Sequence, residues 1–159
     1  MDRHVILFLR SSLAWLALGV SLGLTMAVVP SLAVYRPAHF HMLFLGFVTM
    51  MIAGVGYHVI PRFAATKLHR PGLARLHFVL ANVGLAVLVA GFVVRLHDRT
   101  PGVLLLSAGG VLSAAGAYLL AFNLWRTLDH AAVRPATLPP IHPRPFVVVD
   151  PGLRSTGAS

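Results

Sequence analysis

Residues 38–60 read AHFHMLFLGFVTMMIAGVGYHVI, a run with no Asp, Glu, Lys or Arg. A helix crossing the hydrocarbon of a bilayer needs about 20 apolar residues, and this stretch alone supplies them. Its apolar positions are continuous rather than confined to one stripe, as a helix solvated by lipid requires. Three further blocks share that character, at about 5–29, 76–94 and 103–124. Arg10 lies near enough to the start of the first block to snorkel. Pro30, Pro37, Pro61, Pro71 and Pro101 punctuate the stretches between blocks, where helices are expected to stop or begin. The reading is an all-α integral membrane protein, with a four-transmembrane-helix bundle over residues 1–126.

Composition agrees. Charged residues make up 11% of the 159 positions and the mean hydropathy is +0.81, whereas a soluble domain carries roughly 25% charged residues. The net charge of +9 rests on only four acids, Asp2, Asp98, Asp129 and Asp150, with no glutamate. Most cations flank the apolar blocks, where topology and anionic headgroups account for them, so nucleic acid is not an expected partner. Cysteine is absent, which excludes disulfides, thiolate metal sites and covalent haem attachment. The first block is too long for the apolar region of a signal peptide and is read as retained.

Orientation follows from the basic residues. Arg62, Lys67, Arg70 and Arg75 surround the turn between the second and third blocks. The opposite turns hold Arg36, and Arg95 with Arg99 beside Asp98. Positive-inside then gives an N-in, C-in multi-pass protein of a prokaryotic cytoplasmic (inner) membrane. Residues 127–159 are proline-rich and are expected to form a cytoplasmic tail. Gly19 and Gly23, and Gly109, Ser113 and Ala117, recur at four-residue spacing, which allows close helix approach within the chain or in a homodimer.

Nine histidines in so apolar a chain are the unusual feature. His4, His69, His130 and His142 fall in polar segments and are read as solvated. His39 and His41 open the second block, His58 closes it, His77 opens the third and His97 follows it. Ionisable groups within membrane helices are expensive and point to function; against that stands an imidazole that merely hydrogen-bonds a carbonyl at a helix end. His39 and His58 are nineteen residues apart, about 28 Å along a helix, and cannot share a metal. Two levels result: His39, His41 and His97 at one face, His58 with His77 at the other.

His39 and His41 differ by about 200° around a regular helix, so only one faces a given pocket. Gly46, Thr49 and Ala53 lie on the side of His39, and Phe44, Leu45, Val48 and Ile52 on that of His41, which favours His39 facing the bundle. Haem fits the inventory: iron takes imidazole as an axial ligand, the macrocycle takes apolar walls, and its carboxylates take cations. Arg36, Arg95 and Arg99 would serve at one face, Arg62 and Arg75 at the other. Copper competes, because His39 and His41 with Met42, Met50 and Met51 offer nitrogen and sulfur donors.

The segment Arg36–Phe63, RPAHFHMLFLGFVTMMIAGVGYHVIPRF, resembles a stretch of the haem–copper oxidase superfamily, in particular subunit I of nitric oxide reductases and cbb3-type oxidases. There a histidine opens a helix, glycines interrupt its middle and a Tyr-x-x-x-Pro-like exit follows. The resemblance extends weakly into Leu76–Gly84. It implies that His39, or less readily His41, corresponds to the axial ligand of a low-spin haem b. The departures count equally: that superfamily has about twelve helices, a later His-His pair, and, in nitric oxide reductases, glutamates that this chain lacks. The resemblance therefore implies a haem-binding helix rather than an oxygen or nitric oxide reductase. The expected function is a small membrane cytochrome b with one or two haems, for electron transfer or diatomic gas binding, working with a respiratory redox partner. The alternatives are a copper or haem handling protein for an oxidase, and a non-catalytic subunit of a respiratory complex.

Overall fold

The computed structural model describes residues 3–132, and all regular structure among them is helical. The order is α1 (Arg3–Val28), a 3-10 stretch (Pro30–Tyr35), α2 (Arg36–His41), a π-helical stretch (Met42–Thr49), α3 (Met50–Phe63), α4 (Pro71–Val94) and α5 (Arg99–Ala132). Everything from Pro30 to Phe63 forms one continuous span. With α1, α4 and α5 it makes four spans long and apolar enough to cross a bilayer.

The prolines explain most boundaries. Pro37 and Pro71 sit in the first turns of α2 and α4, where a missing N–H costs nothing. Pro61 departs from the expected pattern: it lies inside the last turn of α3, which ends at Phe63. The π stretch begins directly after His41, and the Thr49 hydroxyl bonds the Phe44 carbonyl five residues back at 2.7 Å. Such π turns are rare and are often found at functional sites.

Val5, Phe8, Met50, Ala53, Tyr57, Ala74 and Leu85 form the core between α1, α3 and α4. Gly46 and Ala53 are buried, while Phe44 and Ile52 are exposed. α4 and α5 pack most intimately. A Cβ on Gly109 would fall 2.4 Å from the Leu88 nitrogen, and one on Gly84 would fall 2.7 Å from the Ser113 nitrogen. Small residues here let backbones touch, the principal source of helix adhesion where lipid removes the hydrophobic drive. On the outside Leu24, Val111 and Trp125 are exposed, side chains that water would penalise and hydrocarbon does not.

α5 continues to Ala132, beyond the position where the sequence suggested a tail. The reason is polar. Asn123 and Thr127 are fully buried: Asn123 exchanges two 3.0 Å hydrogen bonds with the backbone of Arg70, and the Thr127 hydroxyl receives the His69 N–H at 3.0 Å. The turn before α4 is thereby clamped to the last turns of α5. The expected tail from 133 onward, His142 included, lies outside the described residues.

Candidate functional site

At the start of the second span, α2 carries His39 and His41 on different sides. His39 Nδ1 lies 2.8 Å from the Gly19 carbonyl oxygen of α1. A carbonyl only accepts, so in the neutral ring Nδ1 carries the proton and Nε2 the lone pair. Gly23, one turn further along α1, makes room for the ring: a Cβ there would lie 2.8 Å from His39 Cε1. A small cavity of about 310 Å³ opens beside it, lined by Gly23, Met26, Ala27, Ala33, Arg36, His39 and Phe40. His41 turns instead toward α4, with its ring 5.1 Å from that of Phe92 and Nδ1 2.7 Å from the Pro37 carbonyl. His97 is exposed after α4, with Nδ1 3.2 Å from the Val93 carbonyl.

At the opposite end His58 and His77 are not brought together. His58 Nδ1 is engaged by the Arg62 guanidinium of its own helix at 2.8 Å, and the same nitrogen of Arg62 bonds the His58 carbonyl at 2.7 Å. Buried His77 meets the Tyr57 hydroxyl at 3.1 Å and packs against Phe8, ring centres 4.8 Å apart and planes tilted by 44°. One residue turns a helical side chain by about 100°, and Tyr57 rather than His58 receives the inward direction.

Of the histidines read as solvated, His130 is exposed and His69 partly so, and one departs from that reading. His4 is buried, its ring edge-on to Tyr57 at 5.8 Å. His69 and His130 face each other, Nδ1 to Nε2 at 3.0 Å, with their rings stacked. Tyr57 entered the sequence reading only through the Tyr-x-x-x-Pro-like exit and not as a site residue, although its place beside a helix-end histidine was the available signal. The methionine set also disperses. Met50 and Met51 direct their sulfurs toward Ser11 and Ser12 of α1, about 13 Å or more along the span from His41 at 1.5 Å per residue. Among the described residues no three His, Cys, Asp or Glu side chains gather into a metal-holding group. A single imidazole is therefore the donor offered at His39.

No protein-family model matches the chain. It is similar to the cbb3-type cytochrome c oxidase subunit CcoN1 of Stutzerimonas stutzeri, 30% identical over 162 aligned positions. The match covers 83% of this chain and 34% of that subunit, so the chain spans about a third of the relative's length. The resemblance to a haem–copper oxidase subunit I read from Arg36–Phe63 thus holds over most of the chain, as likeness to a fragment of such a subunit.

Proposed function

We propose that the chain is a small membrane cytochrome b that holds haem b at the His39 end of the bundle. The observation that carries the reading is the hydrogen bond from His39 to Gly19: it fixes the ring and its tautomer, leaving Nε2 as the donor an iron takes, as carbonyl partners do for metal-bound histidines generally. Arg36 stands in the same cavity to meet a carboxylate, and Met26, Ala27 and Phe40 give apolar wall. A porphyrin exceeds this cavity, so its outer face would be covered by lipid or a second copy. His97, its Nδ1 likewise set against a carbonyl, does not line that cavity, so a second iron ligand would come from a histidine of another copy in a homodimer. Bound haem would contribute one-electron transfer or an iron open to a diatomic gas, in an N-in, C-in protein of a bacterial inner membrane working beside a respiratory partner. The likeness to an oxidase subunit supports that setting.

Haem quantification and reduced-minus-oxidised spectra of the detergent-purified protein test the reading. His39→Ala abolishes the Soret and α bands while His41→Ala retains them. Gly23→Val, which displaces the ring without removing the ligand, weakens haem affinity on the order of tenfold. Full haem retention in the His39→Ala/His41→Ala double variant overturns the proposal. Bound copper without a Soret band would favour the delivery alternative.

A further inference from the structure

A second cavity, of about 1130 Å³, lies at the other end, between the start of α1, the end of α3 and the start of α4. Four cations line it, Arg3, Arg62, Lys67 and Arg75, and among the described residues no carboxylate does. Among the described residues the ion pair present is Arg126 with Asp129, elsewhere on α5. Among the described residues, then, no carboxylate offsets the charge of this cavity. Below the cations the walls turn apolar, with Leu7, Phe78 and Val79 among them. Leu7 and Val79 are also exposed on the outer surface of the bundle, so the cavity is continuous with the face that hydrocarbon covers. Its volume slightly exceeds the roughly 300–1,000 Å³ of small-molecule sites, too large for a lone phosphate.

We infer that this cavity seats an anionic phospholipid, its phosphate among Arg62, Lys67 and Arg75 and an acyl chain along Leu7, Phe78 and Val79. A cationic rim above an apolar wall that opens sideways is the chemistry of such a headgroup with its chain. Basic pockets between membrane helices on the cytoplasmic side take anionic lipids in this way, and the positive-inside rule assigns this end to the cytoplasm. The inference stands apart from the haem reading, since it uses other residues at the other end.

Native mass spectrometry of the full chain in neutral detergent, titrated with phosphatidylglycerol or phosphatidylcholine, tests it. Phosphatidylglycerol binds at one molecule per chain and phosphatidylcholine does not compete. Lys67→Gln/Arg75→Gln weakens phosphatidylglycerol by roughly thirtyfold, at about fivefold per lost cation near a membrane surface. Arg95→Gln/Arg99→Gln, equal in charge and at the other end, leaves it unchanged. Equal binding of both lipids, or equal loss in both variants, overturns the proposal. Displacement by millimolar inorganic phosphate would reduce the site to a bare anion site, and displacement by hemin would hand it to a porphyrin; either overturns the lipid assignment.

Discussion

The Tyr57 hydroxyl lies 3.1 Å from Nδ1 of His77, both side chains almost wholly buried in a bundle whose ends are otherwise basic. The contact joins α3 to α4 at the depth where His58 was expected to stand. Tyr57→Phe removes the hydroxyl and leaves a buried ring nitrogen without its partner, a loss of about 1–3 kcal/mol. His58→Ala removes only a contact within one helix turn and stays within about 0.5 kcal/mol. Thermal unfolding in detergent separates them; an equal loss in both would show that the inward position belongs to His58.

The helix contact between α4 and α5 predicts a sharp contrast between adjacent glycines. Gly109→Ala places a Cβ 2.4 Å from the Leu88 nitrogen and 2.7 Å from the Gly84 oxygen, backbone atoms that move only if the helices part. Gly110→Ala meets nothing within 4 Å. The first substitution lowers the melting temperature by several degrees, as a loss of about 2 kcal/mol does, and the second leaves it unchanged. Comparable melting of the two variants would refute the packing.

These cases mark what the sequence disclosed. Span number, span type and the inward small face of Gly46 and Ala53 follow from hydropathy and side-chain size, which act over many residues at once. The choice between Tyr57 and His58 turns on a single 100° step, taken after a π stretch that alters the helix phase from Met42 to Thr49. No hydropathy pattern encodes such an insertion. The pairing of His69 with His130, sixty-one positions apart, depends on the clamp of Asn123 and Thr127 on the turn before α4, a matter of two polar side chains in an apolar helix.

That pairing carries a pH dependence. Partial desolvation, then the charges of His130, Arg126 and Arg70, lower the pKa of His69 from its ordinary 6.5. The unfolded chain therefore binds the proton more readily than the folded one, and stability falls as pH drops below about 6.5 and through the lower folded value. Protonation of both rings would also set two cations 3.0 Å apart beside the His69 amide that Thr127 holds. The protection factor of the His69 amide, its exchange taken relative to the intrinsic rate at each pH, should fall between pH 7.5 and 5.5, and His130→Gln should flatten that response. An acid response of equal size in His130→Gln would place its origin elsewhere.

The last prediction fixes orientation, on which the assignment of the basic cavity to the cytoplasm depends. The turn holding Lys67 and the turn holding Asp98 are separated by α4, whose 24 residues rise about 36 Å, enough to set them on opposite faces of the membrane. Both side chains are exposed, and the chain has no cysteine of its own. Lys67→Cys and Asp98→Cys therefore each introduce one thiol at an accessible turn. The excess of Arg62, Lys67, Arg70 and Arg75 at the first turn argues that it faces the cytoplasm. A membrane-impermeant maleimide applied to intact spheroplasts should label the Asp98→Cys variant at once and the Lys67→Cys variant only after lysis. Labelling of Lys67→Cys before lysis would invert the protein, and labelling of both would mean that α4 does not cross.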